Sequence, residues 1–228
     1  MKREILITSD GSTTIHLPDW NEQYHSKHGA IQEAYHVFIR AGLDKVQQEI
    51  TTIAQPNLSI LEIGFGTGLN AFITFLEAQK NKHILNYIGV EAYPVNAEEI
   101  QKLNYVAELH ATNFQSIFDA MHQVSWDEKH QISDTFSLLK RKQFFEDIED
   151  TNTFDLIYFD AFGATNQPEL WTEAIFLKMY EALKGEGVLV TYSAKGSVRR
   201  AMQAVGFVVE RLPGPPGKRE MLRAIKKE

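Results

Sequence analysis

The chain has 228 residues, 43% of them hydrophobic, which is enough to build a sizeable core within one α/β domain. It contains no apolar run near the ~20 residues of a membrane span, no apolar signal core at its start and no cysteine, so we expect no membrane insertion, secretion, disulfides or thiolate metal sites. The net charge of −7 argues against wholesale binding of polyanions, and a cytoplasmic location is the default expectation.

The start of the chain predicts a hairpin followed by helix. Apolar residues alternate along residues 4–17 on both sides of an Asp10-Gly11 step, which is a hairpin signal. Residues 29–50 carry apolar residues at helical spacing, which indicates one or two helices. We therefore divide the chain into an N-terminal hairpin and helical extension (residues 1–50) and a main domain (residues 51–228).

The main domain alternates strands and helices. Strands are predicted at residues 58–63, 86–91, 136–139, 154–159, 187–192, 207–212 and 221–225. Helices are predicted at residues 69–79, 97–109, 114–124, 144–148, 171–183 and 196–205. The last two strands flank a Pro/Gly-rich turn. This pattern predicts a doubly wound α/β fold, with a mostly parallel seven-stranded sheet that has an antiparallel edge strand.

The most informative segment runs from the first of these strands into the first helix. Gly64, Gly66 and Gly68 lie there, and glycine lets the backbone approach a ligand closely. The unpaired N–H groups of the following helix attract a negatively charged group. The spacing differs from the G-x-G-x-x-G of dinucleotide-binding proteins. With Glu62 two residues before the first glycine, it resembles motif I of class I S-adenosylmethionine (SAM) methyltransferases, E/D-x-G-x-G-x-G. A glycine-rich turn without a ligand is the alternative.

Further candidate SAM contacts stand at strand ends, because ligands of such sheets bind at the carboxyl ends of the strands. Glu91 follows the glycines by about 20 residues, where a carboxylate can accept both ribose hydroxyls. Alternatively, it caps the next helix. Glu62 would lie near the methionine amino group, whose positive charge favours a carboxylate. The third strand end lacks an acid at the usual adenine-binding position, and Gln143 is the candidate for that contact.

Asp160 ends the strongly apolar fourth strand. In amine-methylating enzymes of the class, the loop at this place faces the donor methyl group, often as an Asp/Asn-Pro-Pro-aromatic tetrad. Asp160-Ala161-Phe162-Gly163 is placed alike but lacks the prolines. A carboxylate here can orient an amine through a charge-assisted hydrogen bond and accept its proton. The alternative is that Asp160 caps a turn.

The whole chain resembles the tRNA 5-aminomethyl-2-thiouridine methyltransferases, which comprise the amino-terminal domain of bifunctional MnmC enzymes and their stand-alone counterparts, MnmD. The resemblance rests on five segments: Tyr24–Phe38, Glu62–Asn70, Asp160–Trp171, Thr191–Arg200 and Gly214–Met221. Two positions depart from the family pattern. Ala164 replaces a proline in the substrate loop, and Gln143 stands near the usual adenine-binding acid.

The resemblance implies a class I SAM-methyltransferase fold and methylation of the exocyclic amine of 5-aminomethyl-2-thiouridine at the tRNA wobble position, giving 5-methylaminomethyl-2-thiouridine. Asp160 would be catalytic. SAM would be held by Glu62, Gly64, Gly66, Gly68, Asn70, Glu91 and Gln143. The tRNA anticodon loop would be the partner, with no obligate protein partner. No carboxylate spacing supports a metal site among the histidines. We also expect no flavin, since the chain carries no second dinucleotide motif.

Candidate substrate contacts are aromatic and basic. Phe162, Trp171 and Tyr192 could stack on a base, or could simply belong to the core. Residues 184–228 contain ten Lys or Arg against four Glu, a balance that suits contact with phosphates or a solvated surface. The basic candidates are Lys195, Arg199, Arg200, Lys218 and Arg219. The block with Tyr24, Ser26 and Glu33 is either a lid over the site or a structural brace.

Two other functions are compatible with the sequence. A small-molecule amine methyltransferase or aminopropyltransferase of the same fold would share the glycine turn and an acidic fourth strand end, but would not need the basic C-terminal segment. A non-catalytic RNA-binding module would bind tRNA without affinity for SAM.

Overall fold

The N-terminal residues form a small antiparallel sheet. The computed structural model describes most of the chain, namely residues 2–49, 57–81 and 83–227. The predicted hairpin is present, with β1 (Glu4–Ile7) paired to β2 (Thr13–Leu17), and β3 (Glu22–Gln23) lies beside β2. Asp10 fixes the turn, because its Oδ1 accepts a hydrogen bond from the Ser12 amide.

A continuous helical segment follows this small sheet, as the spacing of apolar residues predicts. It begins as α1 (Ala30–Ala34), passes through π-helical turns (Tyr35–Leu43) and ends as α2 (Asp44–Glu49). Its buried apolar side chains belong to the same core cluster as one face of the main sheet, and Gly42 lies against the side chains of Leu156 and Val190. The N-terminal extension therefore packs on the main domain.

The main sheet has eight strands in the described residues. These are β4 (Asn57–Ile63), β5 (Ile84–Val90), β6 (Lys129–Ser133), β7 (Phe136–Arg141), β8 (Phe154–Phe159), β9 (Leu183–Thr191), β10 (Val208–Pro213) and β11 (Glu220–Ile225). Their spatial order is β10-β11-β9-β8-β4-β5-β7-β6. The strands β4, β5, β7, β8 and β9 run parallel, whereas β11 and β6 are antiparallel to their neighbours. The predicted fold class is confirmed.

Two details of this sheet differ from the prediction. The eighth strand, β6, was not predicted, because its sequence Lys-His-Gln-Ile-Ser has no apolar alternation. An edge strand with little buried surface needs none. The antiparallel strand β11 lies one position in from the edge, since the chain places β10 outermost and then folds back between β10 and β9.

Six helices beyond α2 connect the strands of the described residues. They are α3 (Leu69–Asn81), α4 (Ala97–Ile100), α5 (Tyr105–Glu108), α6 (Gln115–Gln123), α7 (Glu173–Ala182) and α8 (Gly196–Ala204). The single helix predicted at residues 97–109 is two short ones, because Asn104 leaves the helical path and its Oδ1 accepts the Thr13 amide. The helix predicted at residues 144–148 is a single 3₁₀ turn. Among the described residues, none of the helices has the length and apolarity to cross a membrane.

The centre of the main sheet positions the site. The chain leaves β4 towards β5 on one side, and leaves β8 towards β9 on the other, so the strand order reverses between β4 and β8. The carboxyl ends of these two strands, Ile63 and Phe159, border the crevice at this switch point. Apolar clusters cover both faces of the sheet and hold the two strand ends in place.

Candidate active site

The glycine turn after β4 joins three strand ends. The amides of Gly64 and Phe65 both donate to the Val90 carbonyl at 3.0 Å, which ties the turn to the end of β5. Gly64 has φ of +88°, and a Cβ there would lie 2.7 Å from the Asp160 carbonyl oxygen. Only glycine suits this conformation and this approach of two backbones. The turn therefore lies directly against the end of β8.

A cavity of about 830 Å³ opens beside this turn. Its walls come from the glycine turn, the ends of β5 and β8, the 3₁₀ turn after β7 and the small N-terminal sheet. The cavity is also lined by Arg3, Leu17 and Trp20, which were not among the predicted site residues. Nothing in their local pattern signals a ligand, because only the docking of the small sheet brings them here.

One amide group links two acidic residues at the base of the cavity. The Asn70 Nδ2 donates to Glu62 Oε1 and to Asp160 Oδ2, both at 2.9 Å. Tyr87 donates its hydroxyl to the other oxygen of Glu62 at 2.9 Å. Glu62 is fully buried behind Asn70, whereas Asn70 and Asp160 line the cavity. The sequence had suggested a direct contact of Glu62 with the methionine amino group, whereas in the structure Asn70 separates Glu62 from the cavity.

Asn70 also presents an unsatisfied acceptor. Its Oδ1 is buried and has no hydrogen-bond partner in the part of the chain that the structure describes. A buried carbonyl oxygen without a donor is costly, so it is a place where a ligand N–H group would be stabilised. The amide orientation agrees with this, because the two carboxyl groups require its N–H groups on their side.

Burial makes the two carboxyl groups weak acids. Burial, followed by the nearby charge of Glu33, raises the pKa of Asp160 to about 7. Burial and then the charge of Asp160 raise the pKa of Glu62 well above its ordinary value. Asp160 is thus poised to accept a proton near neutral pH, as a general base at a reaction site requires.

Glu91 holds the glycine turn from the β5 side. Its Oε2 accepts the Gly66 amide at 3.1 Å and its Oε1 accepts the Tyr93 amide at 2.9 Å. It does not cap the next helix, because Asn96 caps α4 in a capping box with Glu99. Glu91 lines the cavity, so its remaining lone pairs are available to hydroxyl groups.

The turn after β7 contributes aromatic side chains to the cavity wall. Gln143, the predicted adenine contact, is not among the lining residues, whereas Phe144, Phe145 and Glu146 are. The chain turns inward only after Gln143, at the 3₁₀ turn that buries Phe145. The Phe144 ring, 51% exposed, meets the Tyr93 ring edge-on at 6.1 Å between centroids.

Phe162, a candidate substrate contact, lines another side of the cavity. Its ring meets the Tyr24 ring edge-to-face at 5.0 Å and the Trp20 ring at 6.0 Å between centroids. Trp171 and Tyr192 are not lining residues. They hold the loop instead, because Trp171 Nε1 donates to the Phe162 carbonyl and the Tyr192 hydroxyl donates to the Ala161 carbonyl, both at 2.8 Å.

The basic residues predicted as phosphate contacts differ in their exposure and in whether their charged groups already have partners. Lys218 Nζ lies 2.6 Å from Glu33 Oε1, and Lys195 Nζ donates to the Thr165 hydroxyl. Arg199 is half-buried, with an Nε that has no partner among the described residues. Arg200 and Arg219 are exposed. Within the described ranges, no three His, Asp or Glu side chains cluster as metal ligands would.

Comparison with known proteins places this site in context. The profile of a family described as S-adenosyl-L-methionine-dependent methyltransferase matches residues 92–227. The tRNA 5-methylaminomethyl-2-thiouridine biosynthesis bifunctional protein MnmC of Delftia acidovorans is 29% identical, over 93% of this chain and 33% of its own length. The protein of the same name from Leptospira borgpetersenii is 29% identical over 89% of this chain and 32% of its own. The chain spans about a third of the length of these relatives.

Solved structures give the same picture. MnmC2 from Aquifex aeolicus superposes with a TM-score of 0.78 and 25% identity, over 99% of this chain and 70% of that one. Spermidine synthase from Thermotoga maritima superposes with a TM-score of 0.55 and 14% identity, over 98% and 68% of the two chains. The second likeness shows a shared fold alone.

Proposed function

The chain belongs to the S-adenosyl-L-methionine-dependent methyltransferase family, and from this premise we propose that it methylates the wobble uridine of tRNA. The acceptor is the exocyclic amine of 5-aminomethyl-2-thiouridine, and the product is 5-methylaminomethyl-2-thiouridine. The observation that carries the proposal is the placement of Asp160, a carboxyl group held by Asn70 in the wall of a cavity that the glycine turn, Glu91 and Phe162 also line. Similarity to MnmC and MnmC2 over most of the chain supports the choice of substrate.

The cavity suits SAM. The unsatisfied Asn70 Oδ1 would accept a hydrogen bond from the methionine ammonium group, and Glu91 would accept the ribose hydroxyls. Phe144, Phe145 and Glu146 would take over the adenine contact that the sequence had assigned to Gln143. When bound, SAM supplies a methyl group activated by its sulfonium, so most of the catalytic task is to position the acceptor.

Asp160 would prepare the acceptor. An alkyl amine is protonated in water at neutral pH and becomes nucleophilic only after it loses a proton. The ionised Asp160 would accept that proton and hold the amine by a hydrogen bond, while Asn70 holds the carboxylate oriented. Burial of Asp160 strengthens both effects, because the cavity excludes much of the solvent that would screen them.

The side of the cavity lined by Phe162 would receive the base. Phe162, Tyr24 and Trp20 offer faces and edges for stacking, which is how proteins bind splayed single-stranded bases. A wobble base is partly exposed in the anticodon loop, so moving it into a pocket costs only a few kcal/mol. Arg199, Arg200 and Arg219 would meet the phosphates of that loop. The setting of this reaction would be the cytoplasm.

Replacing Trp20 by alanine is expected to raise KM for tRNA about tenfold, because one base–aromatic stack is worth ~1–3 kcal/mol. Trp20→Phe should keep most of the affinity. Tyr93→Ala is the matched control, since Tyr93 is an exposed ring that contacts Phe144 and should raise KM for SAM instead. Steady-state kinetics with each substrate varied separately decides the matter. Equal effects of the two variants on tRNA would refute the assignment of Trp20.

The test of the proposed function is mass spectrometry of wobble nucleosides. Purified protein is incubated with SAM and with tRNA that carries 5-aminomethyl-2-thiouridine, and the tRNA is digested. We expect this nucleoside to gain one methyl group, and the control without SAM to stay unchanged. Methylation or aminopropylation of free amines, with no change in the tRNA, would favour a small-molecule transferase. Binding of tRNA without turnover or SAM affinity would favour an RNA-binding module.

A further inference from the structure

We propose that Lys218 is a positioning residue of the methyl-transfer site, which compensates the charge of Glu33 and packs on Tyr192 behind the Asp160 loop, and is not a phosphate contact. This inference rests on the proposed function, because it concerns the same catalytic carboxylate. It reassigns a lysine that the sequence had placed among the tRNA contacts.

The contacts of Lys218 are directed into the protein. Its Nζ lies 2.6 Å from Glu33 Oε1, and the Glu33 side chain is only 8% exposed. The same Nζ lies 3.8 Å from the centroid of the Tyr192 ring, a distance typical of a cation–π contact. The other oxygen of Glu33 accepts the Ser26 amide at 2.8 Å. An ammonium group held by a buried carboxylate and a ring face is poorly placed to bind phosphate.

The Glu33–Lys218 ion pair affects the loop of Asp160 in two ways. The Tyr192 ring that lies against Lys218 donates its hydroxyl to the Ala161 carbonyl, directly after Asp160. The second route is electrostatic, since the charge of Glu33 raises the pKa of Asp160 and the charge of Lys218 lowers it. Lys218 thus counteracts a negative charge that would otherwise keep Asp160 protonated.

Several other titratable groups face Asp160, and they set the background for this effect. They are Glu62 on β4, Tyr87 on β5, Glu33 on α1 and Tyr192 after β9, with Lys218 before β11 as the positive charge. Burial and neighbouring negative charge keep both tyrosines neutral by raising their pKa values. The charges of the Glu33–Lys218 pair are therefore the part of the surroundings through which a substitution can change the pKa of Asp160.

A double-mutant cycle of Lys218 and Glu33 tests the inference. The variants are Lys218→Met, Glu33→Gln and the double variant, and the measurement is kcat against pH with SAM and tRNA saturating. We expect Lys218→Met to move the acidic limb of the profile about one unit to higher pH. The charge of Glu33 is then uncompensated and raises the pKa of Asp160 further. This shift lowers kcat at pH 7 about fivefold. Glu33→Gln alone or in the double variant should move the limb to lower pH, and Lys218→Arg should restore the wild-type profile.

Two matched variants separate positioning from phosphate binding. Arg219→Met removes the exposed neighbouring cation and should raise KM for tRNA and flatten its salt dependence without moving the limb. Lys184→Met breaks a comparable Lys–Asp155 pair at the opposite end of β8 and should leave the profile unchanged. If Lys218→Met behaves like Arg219→Met, Lys218 is a phosphate contact and the inference is wrong.

A second readout does not depend on activity. Carbon-13 NMR of labelled aspartate follows the Asp160 carboxyl group directly, with its signal assigned by its loss in Asp160→Asn. The same shifts of its titration in Lys218→Met and Glu33→Gln would support the positioning role even if tRNA proved not to be the substrate. Since Glu33→Gln keeps the shape of the side chain, it tests the inference even if Lys218→Met unfolds. An Asp160 titration that moves in neither variant would overturn it.

Discussion

Replacing Asp160 by asparagine is expected to lower kcat for methyl transfer by at least about 100-fold, the usual contribution of a positioned general base. Asparagine keeps the shape of the side chain and an oxygen that can accept the hydrogen bond from Asn70. It cannot accept a proton from the acceptor amine. SAM binding, measured by calorimetry, should change little, because the contacts proposed for SAM lie on Asn70, Glu91 and the turn with Phe144, Phe145 and Glu146.

The dependence of kcat on pH should follow the ionisation of Asp160. Asp160 must be ionised to act as a base, and its pKa is raised to about 7. In the wild type, kcat should therefore rise with pH through about 7 and level off above it. The acidic limb should vanish in Asp160→Asn. Asp155→Asn, at the opposite end of β8, is the matched control and should keep both the rate and the limb. Unchanged turnover of Asp160→Asn would remove Asp160 from the mechanism.

Replacing Gly64 by alanine is expected to abolish measurable SAM binding and to destabilise the fold. Alanine at φ of +88° is strained by about 1–3 kcal/mol. Its Cβ would also lie 2.7 Å from the Asp160 carbonyl oxygen, so β4 and β8 would have to separate at the site. Calorimetry with SAM and urea unfolding measure the two effects. Both should appear together, since one displacement causes them.

Gly196 offers the control for this variant. It begins α8, and a Cβ there would approach only the end of the Arg200 side chain, at 3.2 Å. Gly196→Ala should leave SAM binding intact and should not weaken the protein, because alanine is the better helix former. If Gly64→Ala binds SAM as well as Gly196→Ala does, the turn is not the SAM-binding element.

Local sequence features predicted the parts of the site that lie on a single strand end. The glycine turn, Glu91 and Asp160 each follow a recognisable apolar strand, and the structure brings all three to one cavity. The strand β6 was missed because a polar edge strand has no local pattern. The sequence offers Gln143 near the end of β7 because no acid stands there, whereas the residues that line the cavity begin at Phe144.

Other parts of the site depend on contacts across the chain. No spacing rule brings Arg3 or Trp20 to the cavity that Asp160 lines, because the docking of the small sheet on the main domain decides their position. Trp171 and Tyr192 were predicted as candidate substrate contacts, with the core as the alternative, and they do not line the cavity. Only the hydrogen bonds of their side chains show that they hold the Asp160 loop from behind.

The Arg3 side chain closes one wall of the cavity, donating to Glu99 at 2.9 Å and to the Tyr93 carbonyl at 3.2 Å. These contacts join residues 96 and 90 positions apart. Because these contacts tie the start of β1 to the segment after β5, this wall of the cavity is complete only once the small N-terminal sheet has docked on the main domain. The appearance of methyl transfer during refolding would thus mark the arrival of the N-terminal strand.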